Sequence, residues 1–489
     1  MNYKMLFNVI GKAMLAGAIF MVLPMLVGFY YRENEILAYL VPISVLCAIG
    51  IPCTLIKPKE KSIYAKEGFV IVAFCWIILS LVGALPYVIS GAIPNYVDAL
   101  FETVSGLTTT GASILRSSQI DALYLTNKGI LFWRSLTHFI GGMGVLVFVL
   151  ALFPSNSEGA MHVYRAEAPG PSASKFVSKM KRTAIILYAI YSAMTVLLMV
   201  LLSFSGIGLY DSVLVSFATA GTGGFAPHGA SIAYYNSAYV EMVVAVFMFL
   251  FGINFNLYYF ILIGSVTKIF KNEEFRTYLI IVAVAIVLIA LNILRVTSNF
   301  LYALRYSVFQ VTSIVSTTGF ITADFTRWPV LSQSIILFLM IMGACGGSTG
   351  GGLKVSRFLI LVKSSSADIK KMTHPKAVLT KKLDGEIITP EIERNARTYI
   401  ILWLGIVILA TFILSFEKFV GFDLFTHISA SITCIGNVGP GFNLVGPSYD
   451  FSIYSSLSKC TLSAVMLFGR LEIFPMLIVL SPKTWRKGN

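Results

Sequence analysis

Long apolar runs alternate with short polar breaks along almost the whole chain. They fall near residues 8–30, 36–56, 68–90, 129–153, 183–208, 239–267, 277–295, 331–362, 398–416 and 456–480. Each is at least about the 17 to 25 residues that cross bilayer hydrocarbon, so the pattern predicts ten membrane spans. Between spans lie amphipathic segments of about ten to twelve residues, too short to cross. Each of these leads into a small polar-glycine motif: Thr108-Thr109-Thr110-Gly111, Gly221-Thr222-Gly223-Gly224-Phe225, Ser316-Thr317-Thr318-Gly319-Phe320 and Asn437-Val438-Gly439-Pro440.

Gly111, Gly224, Gly319 and Gly439 are 113, 95 and 120 residues apart. After the first two spans, that spacing predicts four copies of one span, motif, span unit. Asp98 precedes Gly111 by 13 residues and Asp211 precedes Gly224 by 13. An Asp near a helix N-terminus complements the helix dipole, which fits helices that enter the membrane partway and return. Irregular backbone at membrane depth survives only where protein buries it or it lines water. Four re-entrant loops meeting on one axis satisfy that condition. Their carbonyls, at Thr109, Thr110, Gly111, Thr222, Gly223, Gly224, Thr317, Thr318, Gly319, Asn437, Val438 and Gly439, can replace the water shell of a dehydrated cation. Glycine supplies the torsions this needs. The competing reading is that the glycines only let helices pack closely; four recurrences at helix ends on one side favour the pore. The fourth copy is ambiguous, because counting 13 from Asp423 reaches Gly436 and only motif shape selects Gly439.

Composition sharpens the picture. With 57% hydrophobic and 12% charged residues, and a mean hydropathy of +0.81, the chain belongs in a lipid bilayer. Basic residues mark the cytoplasmic loops: Lys57, Lys59, Lys61 and Lys66; Arg165, Lys175, Lys179, Lys181 and Arg182; Lys268, Lys271 and Arg276; the 363–397 stretch; and Lys483, Arg486 and Lys487. Between Leu209 and Tyr239 there is none. Both termini are therefore expected inside and the motifs towards the outside. Inside-positive topology and anionic lipid account for most of the +14 net charge, so no nucleic-acid partner is expected. The 363–397 loop is long enough to dock an acidic cytosolic partner. The first apolar run is too long for a signal peptide and reads as a retained span.

Six cysteines lie in or beside apolar segments and read as packing residues. Five scattered histidines and the lack of HExxH or CxxC patterns argue against an enzyme. Gly343, Gly346, Gly347, Gly350, Gly351 and Gly352, with Ser348 and Thr349 among them, interrupt the 331–362 run. At ~1 kcal/mol per glycine relative to alanine, this stretch predicts a mobile plug below the motifs. A P-loop is excluded, because Leu353 separates the last glycine from Lys354; a passive helix break for packing stays open. Arg470 and Glu472 lie inside the last apolar run, where charge is costly and usually functional. Arg470 either sets an electrostatic barrier or forms a structural pair with Glu472 or a carbonyl. Lys354 either joins that barrier or snorkels to the interface. Arg134 and His138 read as structural pairs. A proton- or sodium-coupled symporter is the alternative, but it would carry buried carboxylates, and the spans hold few apart from Glu472.

These residues resemble the TrkH branch of the Trk/Ktr/HKT superfamily of potassium transporters. The likeness rests on the four motifs, on Phe132 to Gly144 (FWRSLTHFIGGMG), on Gly343 to Lys354 and on Gly469-Arg470-Leu471-Glu472, and runs nearly end to end. It implies an all-α polytopic membrane protein: two N-terminal spans plus four pseudo-symmetric helix, re-entrant pore loop, helix repeats around a central ion pore. The expected divisions are 1–66 for the two N-terminal helices, 67–165, 175–270 and 271–365 for the first three repeats, 366–397 for a cytoplasmic basic loop and 398–489 for repeat four. The resemblance further implies potassium uptake across the bacterial inner membrane, with K+ bound at the filter and no cofactor on this chain. It also implies a homodimer and a cytosolic TrkA-like regulatory subunit that carries the nucleotide. In relatives, serine at the first filter glycine favours sodium; here all four positions are glycine.

Overall fold

The apolar runs become helices of two kinds. The computed structural model describes residues 2–56, 58, 65–144, 180–376, 379–417 and 421–485. Among these, six helices are long and apolar enough to cross a membrane: Tyr3–Tyr30, Ile36–Leu55, Lys66–Ile89, Ala184–Ser203, Glu273–Thr297 and Pro390–Leu414. They are the two N-terminal helices and the first helix of each of four units.

The second helices are interrupted. Ala238–Phe251 and Phe255–Leu262 meet at 92°. Val330–Met342 and Val355–Thr373 flank the glycine run, and Ser456–Arg470 gives way to Phe474–Leu480. Continuous spans over 239–267 and 456–480 are thus corrected. Hydropathy averages along a run and does not register a bend whose cause is local. Asn254 accepts the Asn256 N–H at 3.0 Å and restarts the helix. Glu472 and Ile473 have φ of 57° and 61°, which no right-handed helix accommodates. In unit one, Lys128–Gly142 is described, whereas 145–153 of its run lie outside the described residues. So do Lys57, Lys59, Lys61, His162, Arg165, Lys175, Lys179, Arg486 and Lys487.

The 366–397 stretch, expected as a loop, is helical at both ends, because Val355–Thr373 and Pro390–Leu414 run into it. Between them Lys382–Leu383 pairs antiparallel with Glu386–Ile387. The turn residues Asp384 and Gly385 have φ of 52° and 82°, the type I′ geometry that Asp-Gly favours. None of the six cysteines forms a disulfide.

The first two helices pack through small residues: a Cβ on Gly11 would lie 2.8 Å from the Gly50 carbonyl oxygen. Asn8 closes the second helix by donating to the Thr54 and Ile56 carbonyls at 2.8 and 3.0 Å. The turn between them docks on unit one. Glu33 accepts the N–H groups of Lys128 and Gly129 at 2.5 and 3.0 Å, and the Lys128 ammonium sits 4.2 Å over the Tyr31 ring. Glu33→Ala removes a carboxylate from the start of Lys128–Gly142 and should cost about 1–2 kcal/mol; a lower thermal unfolding midpoint in detergent micelles checks it.

Candidate ion-conduction site

Four short helices, Tyr96–Leu107, Leu209–Gly221, Phe300–Val315 and Leu424–Gly436, lead into the four motifs. Asn95, Asn299 and Asp423 cap their N-termini by accepting backbone N–H groups. Asn95, Gly208 and Asp423 each precede the loop glycine by sixteen residues; the third helix starts a turn earlier. Asp423 is therefore the cap itself, whereas Asp98 and Asp211 lie inside their helices. That offset explains why a count of 13 from Asp423 stops at Gly436, the last residue of its helix.

One backbone shape recurs in all four loops. Thr109, Thr222, Thr317 and Asn437 have φ between 53° and 59°, and Gly111, Gly224, Gly319 and Gly439, two residues on, have φ of 78°, 77°, 80° and 100°. These glycines close a ring. A Cβ on Gly111 would strike the carbonyl oxygen of Gly223, on Gly224 that of Thr318, on Gly319 that of Val438, and on Gly439 that of Thr110. Each loop thus presents the carbonyl just before its own glycine to the glycine of its neighbour, and the fourth returns to the first. Asn437 adds a side-chain link across that last joint, donating to Thr110 Oγ1 at 2.9 Å. Glycines used for helix packing also occur, but elsewhere. A Cβ on Gly141 would strike Leu107 O, and one on Gly469 would strike Ile435 O.

Behind the ring each loop has its own support. Nine residues before the glycine, Glu102 accepts the Ile114 N–H at 3.0 Å. At the same place in unit three, Gln310, with its amide oxygen turned to the chain, accepts the Thr322 N–H at 2.9 Å. In unit four Ser429 Oγ accepts the Phe442 N–H at 3.0 Å. Unit two has Val215 there, and the residue needing a partner is Pro227, which has no N–H. Glu102 also pairs with Arg134 at 2.7 Å, with both side chains buried. His138 bridges two units: its Nδ1 contacts Gly106 O at 2.8 Å and its Nε2 accepts the Phe225 N–H at 3.2 Å. The second contact fixes the proton on Nδ1. Glu102, Gln310 and Glu274 are missed by sequence reasoning; for Glu102 and Gln310 the available signal was a carboxylate or amide nine residues ahead of a motif glycine. With Asp211, Glu241 and Glu274 also buried, carboxylates are commoner in the core than the apolar runs suggested.

The predicted gate residues come together on the ring's other face. Gly343, Gly347, Gly352 and Lys354 have φ of 68°, 74°, 79° and 75°, so the run is folded backbone and no helix. Gly351 N–H donates to Thr317 Oγ1 at 2.7 Å, and Cβ atoms on Gly350 and Gly351 would press on Ser316 and Asn437. Gly346 N–H donates to Glu274 at 2.7 Å. Ser348 Oγ bonds Cys345 O at 2.6 Å and Thr349 Oγ1 bonds Phe251 O at 3.2 Å. The bend in unit two accommodates the run, with Cys345 N–H donating to Gly252 O and Phe255 N–H to Gly347 O. Lys354 does not snorkel: it is 3% exposed and its ammonium bonds Gly350 O. Arg470 donates to Thr349 O at 2.7 Å and to Gly141 O and Gly142 O at 2.6 and 2.7 Å, which realises the carbonyl pairing. Glu472 pairs instead with Arg357 at 2.5 Å.

Beyond the ring a funnel open to solvent is lined by all four ring glycines with Ser113, Ser117, His228 and Tyr449. A funnel, a ring of backbone loops and a buried loop beneath it, set among apolar helices, define a membrane transport protein. Comparison with known proteins gives the family. The TrkH model, described as a cation transport protein, matches residues 42–487, and the chain belongs to that family. It is 34% identical to the Trk system potassium uptake protein TrkH of Escherichia coli K12 over 502 aligned residues, all of both chains. It is 31% identical to TrkG of the same strain, covering 95% of this chain and 94% of that one. The crystal structure of the potassium transporter TrkH from Vibrio parahaemolyticus superposes with a TM-score of 0.88 at 29% identity, covering 99% of this chain and 100% of that one.

Glu102→Gln copies the side chain of unit three. It keeps an acceptor for Ile114 but strands the buried Arg134 charge, and should destabilise by up to about 3–5 kcal/mol; thermal unfolding compared with wild type measures it.

Proposed function

We propose that this chain carries potassium into a bacterial cell across the inner membrane, through a K+-selective, channel-like pore gated from the cytoplasmic side by a regulatory subunit. The observation that carries the reading is the cyclic contact of Gly111, Gly224, Gly319 and Gly439 with the carbonyls of Gly223, Thr318, Val438 and Thr110. Carbonyls gathered around one centre can replace the hydration shell of a monovalent cation. The C-termini of four short helices add partial negative charge at the same place. Potassium is the ion because all four ring positions are glycine and because relatives of full length are named as potassium uptake proteins.

The glycine run is the gate. It fills the space under the ring, and Lys354 and Arg470 put positive charge beside the route a cation would take. Moving the run removes the plug, shifts Lys354 with it and releases Arg470 from Thr349 O. The regulatory subunit, the homodimer, cytoplasmic termini and a nucleotide bound by the partner belong to the same reading. The relatives' naming as parts of a Trk system supports a separate subunit.

The deciding experiment is ion flux into liposomes that contain this protein alone, with potassium or sodium gradients at fixed pH. Potassium flux should follow its own gradient, with sodium flux much smaller. Flux that appears only when a proton gradient is added would overturn the channel-like pore in favour of a coupled symporter. In the same assay Gly319→Ser, whose Cβ would strike Val438 O and sit 2.8 Å from Pro440 Cδ, should lower the potassium-to-sodium ratio about tenfold, the equivalent of ~1–3 kcal/mol of backbone strain reshaping the ring. An unchanged ratio would count against the ring as the selective element.

A further inference from the structure

Two adjacent glutamates at the start of Glu273–Thr297 face opposite ways. Glu274 is 6% exposed, and its Oε1 accepts both the Gly346 N–H at 2.7 Å and the Ser356 N–H at 3.0 Å. Gly346 lies within the glycine run, and Ser356 is in the first turn of the helix that follows it. One oxygen therefore pins both sides of the run.

Glu273 faces the cytoplasmic hairpin. Its carboxylate pairs with Lys363, which also donates to Lys382 O at 2.7 Å. From the hairpin turn, Asp384 Oδ1 accepts the Glu273 N–H at 2.5 Å and Oδ2 accepts Asn272 Nδ2 at 2.7 Å. Asn272 is in turn the helix cap, accepting the Phe275 N–H at 2.8 Å. An unbroken series of polar contacts thus runs from Asp384 through Asn272 and Glu273, and by the next residue to Glu274 and the run. The hairpin itself is accessible: Ile387 is 62% exposed. Its shoulder is braced by Lys381 on Asp368 and Glu393, and by Arg397 on the same two carboxylates.

We infer that the hairpin Lys382–Ile387 is the latch of the glycine run, with Asp384 and Glu274 as the positioning residues that hold the run under the ring. Lifting the hairpin from the cytoplasmic side uncaps the helix, shifts Glu274 and frees Gly346 and Ser356 together. This rests on reading the run as the gate. A purely structural Asp384 would affect stability and leave resting flux alone.

The test is resting potassium flux in liposomes containing the full chain and no partner, for Asp384→Ala, Glu274→Ala, the double variant, and a deletion of Gly346 to Gly351 as control. Each single variant should raise flux about fivefold, as the loss of one or two hydrogen bonds implies. The double should not exceed the larger single, because both act on one connection, and the potassium-to-sodium ratio should not change. Lys363→Met cuts the hairpin's other tie while leaving the Asn272 cap intact. It should move flux the same way even where Asp384→Ala fails to fold. If the deletion raises flux while Asp384→Ala and Lys363→Met leave it at the wild-type level, the latch is wrong and the gate stands. If the deletion itself leaves flux unchanged, the gate reading falls and the latch with it.

Discussion

A carbonyl oxygen lodged against a bare Cα, four times around one centre, is the contact on which the rest of the structure depends. Gly111, Gly224, Gly319 and Gly439 tolerate it for two reasons at once: they have no Cβ to collide, and they sit at positive φ. A side chain at any of the four would push the neighbouring loop outward, and because the contacts are cyclic the displacement would pass to the next joint. The short helices, their caps and the second helices serve to bring four loop ends to this meeting point.

Around the ring, charge is handled differently on the two faces. Arg134 is neutralised by Glu102, which also holds loop backbone, so the support behind the first loop adds no net charge. Arg470 and Lys354 are held by carbonyls of Thr349, Gly141, Gly142 and Gly350. Carbonyls satisfy the donors without cancelling the cationic charge. The support behind the first loop thus holds its buried cation on a carboxylate, whereas the cations beside the glycine run sit on backbone carbonyls.

The six long apolar helices, the four motifs and the glycine run could be read along the chain, because each is a contiguous pattern of apolar length or glycine content. Bends could not. Asn254 restarts a helix within an apolar run, and nothing in hydropathy distinguishes it from a tolerated polar residue. Gly439 was recoverable only by motif shape, since Asp423 caps its helix while Asp98 and Asp211 lie inside theirs. Glu274 escaped notice because two glutamates at a span boundary look like ordinary solvated ends; only the fold brings Gly346 and Ser356 to one of them. The barrier reading of Arg470 and its carbonyl pairing were posed as alternatives, yet a guanidinium on three carbonyls satisfies the second without removing the charge the first requires.

Val215 and Pro227 show how one backbone can be maintained by unlike chemistry. Where units one and three place an acceptor beneath the returning strand, unit two has deleted the donor. The units are therefore congruent in shape yet not interchangeable as parts. Transplanting the short helix of unit two into unit one would leave Ile114 facing a valine, while the reverse graft would set a carboxylate against a proline ring. The four loops keep one shape in their torsion angles where their letters differ, and at Val215 and Pro227 a missing acceptor is matched by a missing donor.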